Sequence, residues 1–316
     1  MSPPKKISIV VPFWNEKETL PVLLERLSSV FAGREEAWEL LLVDDGSTDG
    51  SAEWAVAQAG RHAHVRVLRL SRNFGHQMAI TAGLDRADGD AVVVMDADLQ
   101  DPPEVIPELI AKWREGAEVV YAVRRSRQGE TWFKTFLASS FYRVFRRLAK
   151  VDVPMDAGDF RLVDRSVVDA LKEMRELHRF MRGLTSWVGY RQTAVEYDRA
   201  PRLAGETKYP VWKSARLAFD AITSFSASPL RWILLLGLLV CLLAALWVVY
   251  VMIVAMVDPG RLARGWASLL AVMFFLGGVQ LLGLGMIGQY VSRIFEESKH
   301  RPLYLIRTDT RAKGSN

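Results

Sequence analysis

Thiol chemistry is almost absent from this chain: 316 residues contain one cysteine, Cys241. One cysteine excludes an intramolecular disulfide and any multi-cysteine zinc site, and its place inside a long apolar run reads as a small apolar residue. A G-x-x-x-x-G-K-[ST] loop is also missing, and the spacing G-x-G-x-x-G occurs only at Gly283–Gly288 inside a long apolar run, not between a strand and a helix, so phosphate is not cradled in either of those ways. There is no internal repeat, low-complexity tract or long flexible linker. Nor is a secretory signal read: in MSPPKKISIVVPF lysines precede an apolar run, but Asn15-Glu16-Lys17-Glu18 interrupts it and no small-residue cleavage site follows. The N-terminal domain is therefore expected to stay on the side where it is made.

Charge is missing from two stretches, Trp232–Val257 and Ala267–Val291, each about 25 residues long. Roughly 20 apolar residues cross a bilayer as a helix, and helices that long and apolar all round are rare in soluble cores. Two spans return the C-terminus to the side of the N-terminal domain. Basic residues agree: Arg293, Lys299, Arg301, Arg307, Arg311 and Lys313 follow the second run, whereas the connection DPGRLARG holds two arginines and an aspartate. The expected layout is a cytoplasmic domain over 1–209, a juxtamembrane amphipathic helix over 210–229, two transmembrane helices within 230–291 and a basic cytoplasmic tail over 292–316. A further amphipathic helix over 131–150, rich in aromatic and basic residues, is expected to lie in the membrane interface. The net charge of +5 and pI near 9.3 fit an anionic membrane surface or a phosphorylated ligand, not nucleic acid. The second run holds five glycines but no strict G-x-x-x-G, so a homo-oligomer is possible without being specified.

Over the first 130 residues, strand-like runs (Ile7–Pro12, Leu40–Val43, Val65–Leu70, Ala91–Met95, Val119–Val123) alternate with helix-like ones (Glu16–Phe31, Ser51–Ala59, Gln77–Arg86, Val105–Arg114). Asn15 and Glu18 have capping-box spacing for the first helix. Alternation with nearly continuous apolar strands predicts an α/β fold with a mostly parallel, Rossmann-like sheet covered on both faces. Ligands bind such sheets beyond the carboxyl ends of the strands. There this chain places Asn15 and Glu16, then Asp44 and Asp45, then Arg72 and Asn73, then Asp96 and Asp98.

The stretch MDADLQD, Met95–Asp101, puts three carboxylates and an amide where a buried strand should end. Carboxylates so close repel unless a cation lies between them. Mg²⁺ typically takes one or two carboxylates, completing its shell with water and substrate phosphate, and Mn²⁺ suits the same oxygens. Asp96, Asp98 and Gln100 are the metal candidates.

VVPFWNE, VDDGSTDGS, RNFGHQMAITAGLDRADGD and MDADLQDPPE resemble, in order and spacing, family 2 glycosyltransferases of the GT-A fold. MDAGDFRLVDRSVVDAL, RFMRGLTSWVGYRQ, AGETKYP and the two C-terminal runs resemble the polyprenyl-phosphate glycosyltransferases, of the dolichyl-phosphate mannose synthase and, more closely, the bactoprenol glucosyltransferase type. Thr207 stands where serine is common, keeping the hydroxyl. The resemblance implies a membrane enzyme with its catalytic domain and C-terminus in the bacterial cytoplasm. A UDP-sugar, above all UDP-glucose, would be the donor and undecaprenyl phosphate the acceptor; the anomeric centre inverts in a single displacement, and the lipid-linked product serves an envelope glycan. It further implies that Pro12, Asn15, Glu16, Asp44 and Asp45 hold the nucleoside, that Asp96, Asp98 and Gln100 hold metal and diphosphate, and that the turn Arg72–His76 closes over the donor. His76 also has a plain reading as a helix N-terminal residue satisfied by backbone.

A phosphate monoester, with its second pKa near 6, is largely dianionic at pH 7, so the acceptor needs positioning more than deprotonation. Asp156 and Asp159, with Asp98 the catalytic candidates, are therefore expected to orient the acceptor or the sugar hydroxyls. An anionic acceptor beside an anionic donor needs cations: Arg125, Arg161 and Lys208 are the first candidates, with Arg124 and Arg202 behind them. The competing readings are a GDP-mannose enzyme, a membrane-anchored transferase acting on a soluble glycan, and a non-catalytic lipid-binding scaffold. A processive polysaccharide synthase would bring more spans and a Q-x-x-R-W motif, both missing.

Overall fold

The computed structural model describes residues 5–125, 157–198, 228–257 and 266–311. Asp156, Arg202, Lys208, the helix expected over 131–150 and the juxtamembrane helix up to residue 227 lie outside these residues. The described residues fall into two compact units, one within 1–210 together with 302–316, the other within 211–301.

In the first unit, β1 (Lys6–Phe13), β2 (Ala37–Asp44), β3 (Val65–Leu70), β4 (Ala91–Val94) and β5 (Val119–Arg124) alternate with α1 (Thr19–Phe31), α2 (Ser51–Ala59), α3 (His76–Arg86) and α4 (Ile106–Arg114). Then follow β6 (Ala157–Asp164), α5 (Arg165–Glu173), α6 (Met181–Trp187) and β7 (Gln192–Tyr197); β8 (Ile306–Asp309) comes from the far end of the chain. The sheet order is β7-β5-β6-β4-β1-β2-β3-β8. Four of the seven pairings are parallel; β6 runs antiparallel to both β4 and β5, and β8 antiparallel to β3.

Helices cover both faces, which is why the central strands are apolar without alternation: Ile7 to Phe13 of β1 are all buried. Leu20, Leu23, Leu24, Leu27 and Phe31 bury one side of α1 against this core. In register, Phe13 lies beside Asp44 and Val10 beside Val94, and the Met95 amide donates to the Val10 carbonyl at 3.1 Å. The strand ends at Phe13, Asp44 and Met95 thus share one edge.

The capping box is not formed. α1 begins at Thr19, Glu18 makes no capping bond, and Asn15 takes a left-handed conformation (φ 57°). Its amide oxygen accepts instead from the Thr48 amide at 2.8 Å, joining the turns after β1 and β2. Thr19 takes over locally, its hydroxyl donating to Glu16 Oε2 at 2.7 Å.

The second unit holds α7 (Ser228–Val257) and α8 (Trp266–Ser298). At 1.5 Å per residue, helices of 30 and 33 residues exceed the thickness of a bilayer core of about 30 Å. Among the described residues one segment, Phe275–Ser298, is long and apolar enough to cross a membrane, and Ile233–Trp247 of α7 is a shorter apolar stretch. Leu235, Leu239, Leu242, Leu281 and Leu282 are exposed. The segment read as a tail is ordered where described: α8 runs on to Ser298, and 306–309 join the sheet.

α3 packs tightly on β1 because it carries Gly83, where a Cβ would lie 2.2 Å from Val10 Cγ1. Gly83→Ala is expected to cost about 1–3 kcal/mol through overpacking, lowering the thermal midpoint of the detergent-solubilised chain; an unchanged midpoint would show that α3 can shift freely.

Candidate active site

At the shared edge lies a cleft of about 580 Å³, within the usual range for small-molecule sites, lined among others by Pro12, Glu16, Asp45, His76, Asp96 and Asp98. The turn after β4 supplies its acidic wall. Leu99 within that turn is buried at φ 59°, a conformation uncommon and costly for a bulky side chain. The Gln100 amide donates to Asp98 Oδ1 at 3.2 Å, folding the turn back on itself.

Two side-chain oxygens of this turn, Asp96 Oδ1 and Gln100 Oε1, are buried without a hydrogen-bond partner. Buried polar atoms are rarely left so. The nearest cation to Asp96 Oδ1 is His76 Nε2 at 3.3 Å, without hydrogen-bond geometry. Burial pushes the Asp96 carboxyl up to about 6; His76 pulls against this, while the charges of Asp159, Asp101 and Asp98 add to it. An excess of negative charge with orphaned oxygens suits a divalent cation. Among the described residues no three His, Cys, Asp or Glu side chains come together as a ligand set, so protein carboxylates alone do not form a cage. Asp96, Asp98 and Gln100 fit a cation whose shell is completed by water and a ligand's phosphates.

Opposite stands Asp159 on β6, almost wholly buried. Arg182 of α6 grips it with both arms of its guanidinium, Nε to Oδ1 at 2.8 Å and Nη2 to Oδ2 at 3.3 Å. His76 Nε2 lies 3.4 Å from Oδ2. Burial alone would raise the Asp159 carboxyl, but His76, Arg182 and Arg161 together hold it far below the usual carboxylate range. The His76 ring, 44% exposed, is pulled down by partial burial and pushed up more strongly by its bond to Asp159 and the charges of Asp96 and Asp159, so its pKa is raised. The expectation of a backbone-satisfied His76 is corrected: the ring bridges two carboxylates across the cleft.

Asp44 and Asp45 tie together the turns on the other side of the cleft. Asp44 accepts from the Ser47 amide at 2.8 Å and Arg69 Nε at 3.3 Å. Asp45 accepts from the Phe74 amide at 2.7 Å and the Gly75 amide at 2.9 Å. The 72–75 turn lies so close to Gly46 that a Cβ there would sit 2.7 Å from the Asn73 nitrogen, and Gly46 has φ 78°. Arg72 stacks over Phe74 at 4.1 Å.

The arginines separate. Arg161 is buried beneath the site, donating to the Gly158 carbonyl at 2.7 Å and to Thr185, with the Asp159 carbonyl at 3.4 Å; burial lowers its pKa to about 10. It braces β6 and does not face a phosphate. Arg125 is exposed and pairs loosely with Glu196 (3.5 Å) and Asp198 (3.4 Å). Arg124 reaches the Tyr197 hydroxyl at 3.4 Å, and that hydroxyl donates to Asp101. Arg182 is the residue the motifs passed over; its signal was the second arginine of RFMRGLTSW.

Strand order and acidic turn together define a Rossmann-like GT-A architecture. Residues 8–172 match glycosyl transferase family 2. An uncharacterized glycosyltransferase of Synechocystis sp. is 47% identical over 95% of this chain and 94% of its own. The bactoprenol glucosyl transferase of Shigella phage SfV is 42% identical over 96% of this chain and 99% of its own. Among solved structures, glucosyl-3-phosphoglycerate synthase from Mycobacterium tuberculosis, in complex with Mn²⁺, UDP-glucose and phosphoglyceric acid, is 19% identical over 70% of this chain and 78% of that one, with a TM-score of 0.47. The chain belongs to glycosyl transferase family 2, and it is a glycosyltransferase enzyme.

In metal-free protein the His76 imidazole is expected to titrate above the ordinary histidine value of about 6.5. A raised pKa contributes stability that is full below about pH 6.5 and lost as the pH rises through the folded-state value. Asp159→Asn should bring the His76 pKa down. Histidine-resolved NMR titration reads both; an unchanged pKa in the variant would mean the ring does not sense Asp159.

Proposed function

We propose that this enzyme transfers a sugar, above all glucose, from a UDP-sugar to a polyprenyl phosphate, undecaprenyl phosphate, at the cytoplasmic face of a bacterial inner membrane. The lipid-linked sugar would then serve an envelope glycan. The observation that carries the reading is the orphaned pair of oxygens on Asp96 and Gln100 in an acidic cleft at the sheet's carboxyl edge. Mg²⁺ or Mn²⁺ held there with Asp98 would act as a Lewis acid, stabilising the nucleoside diphosphate as it leaves. The printed name of the phage relative, over nearly the full length of both chains, supports glucose and the polyprenyl acceptor.

In this reading Pro12 and Glu16 wall the nucleoside, while Asn15, Asp44 and Asp45 fix the turns around it. A general base works best with a pKa near the operating pH. Asp159, doubly bonded to Arg182 and held far below that range, is poorly suited to take a proton and well suited to orient. An acceptor phosphate already dianionic asks for no more than that, and it can attack the anomeric carbon directly with inversion. Arg125 and Arg124, at the end of β5, are the described candidates to meet the acceptor phosphate; Arg202, Lys208 and Asp156 are proposed with them.

Both long helices are proposed to span the membrane. Support comes from chain connectivity: β8, after α8, shares a sheet with β3, before α7. That pairing is consistent with an even number of crossings by the two helices.

With UDP-glucose and membranes containing undecaprenyl phosphate, sugar label should enter the solvent-extracted lipid. EDTA or the Asp96→Ala/Asp98→Ala variant should lower the rate about 100-fold or more. Label confined to water-soluble glycan would overturn the lipid acceptor. Separately, Arg125→Gln should raise the acceptor KM with little change in the donor KM, since removing a ground-state contact acts on the substrate that makes it; equal changes would exclude Arg125 as an acceptor residue.

A further inference from the structure

The turn 71–75 forms one side of the cleft, yet Ser71, Arg72 and Asn73 are exposed. Its middle is held by the Asp45 carboxylate. Its start is held by a residue from the other end of the chain: the Ser71 amide donates to the Leu305 carbonyl at 2.8 Å. The far end of α3, which begins with His76, is tied to the same C-terminal segment three times over. The Tyr304 hydroxyl donates to Asp85 Oδ2 at 2.6 Å, where Arg175, just past α5, also lies at 2.7 Å. Asp309 takes both arms of Arg66, Nε at 3.0 Å and Nη2 at 2.7 Å, and Arg66 Nη1 in turn donates to the Arg86 carbonyl at 2.9 Å. Arg311 pairs with Asp88, just past α3.

A strand that only covered a sheet edge would need backbone pairing and nothing more. Here the β3–β8 ladder is short and irregular, with a register shift between Arg69 and Leu70. Apart from the Leu305 carbonyl, side chains of the segment supply the ties, and those ties run to β3, α3 and the flanks of α3. Arg66 and Asp309 are both only 12% exposed, so their bidentate pair is sheltered from solvent and holds a defined geometry.

We propose that the C-terminal segment Tyr304–Arg311 is a positioning element of the donor site: it fixes the β3–turn–α3 unit at both ends and so presents the 71–75 turn and His76 to the nucleotide-sugar. The proposal rests on the reading of the cleft as the donor site. Tyr304, Leu305 and Asp309 are positioning residues: they act through Asp85, Ser71 and Arg66 and do not themselves line the cleft.

The test uses the full chain in detergent or nanodiscs, with Tyr304→Phe, Asp309→Asn and the double variant. Tyr304→Phe removes one hydroxyl and keeps the ring, so folding is not at stake. Hydrogen exchange at the 71–75 amides is expected to speed up in the variants. The KM for UDP-glucose is expected to rise about tenfold in the double variant while the acceptor KM stays within about twofold. Unchanged exchange at 71–75, or donor and acceptor KM rising together in step with a lowered thermal midpoint, would reduce the segment to an edge cover and overturn the proposal. Should the wild type turn over no nucleotide-sugar, the donor-site reading would fall, while exchange at 71–75 would still decide whether the segment holds the turn.

Discussion

Like charges held close together govern this molecule. Asp96, Asp98, Asp101 and Asp159 converge on one edge of the sheet, and the surroundings treat them unequally. Asp159 has Arg182 and His76 against its oxygens, with Arg161 beneath; Asp96 has one imidazole near an oxygen that accepts no hydrogen bond. Their acidities are accordingly driven apart, one far down and the other up to about 6. Carboxylates pushed apart in this way take different roles. One is neutralised inside the protein and fixed in place; the other keeps an unmet demand for positive charge that a ligand's cation can satisfy.

The remainder of the first unit serves that asymmetry. The antiparallel β6 brings Asp159 and Arg161 up beside β4, whose last residues lead into the acidic turn. α6 follows closely enough to lay Arg182 across Asp159. On the other side, Asp44 and Asp45 tie the turns after β2 and β3 together, so the cleft's two walls are each built from strand ends joined by hydrogen bonds.

Much of this was legible in the residues. The first five strands and four helices are found close to where hydrophobic runs and turns place them, because each is a local pattern. So is the acidic turn, whose carboxylates stand out at the end of an apolar run. Arg182, His76 and Asn15 were misread or passed over for one reason: their partners are distant in sequence. Arg182 meets Asp159 across 23 positions and Asn15 meets Thr48 across 33, and no local periodicity encodes such pairs. The capping-box spacing of Asn15 and Glu18 was a true pattern overridden by a tertiary bond. Arg161 reads in the sequence as a cation for the acceptor phosphate, but it lies beside Val94 of β4 and Tyr121 of β5 and is buried there, a placement set by strand register.

The β3–β8 pairing also bears on how the chain is made. Arg66 and Asp309 lie 243 positions apart, so the rim strand of the sheet is synthesised long before the partner that covers it. Until residues 306–309 have been made, β3 carries an open row of amides and carbonyls, the feature that invites pairing with another chain. Both long apolar helices emerge within that interval. Pairing of β8 with β3 is thereby a late step, possible only after the residues of both long helices have been made.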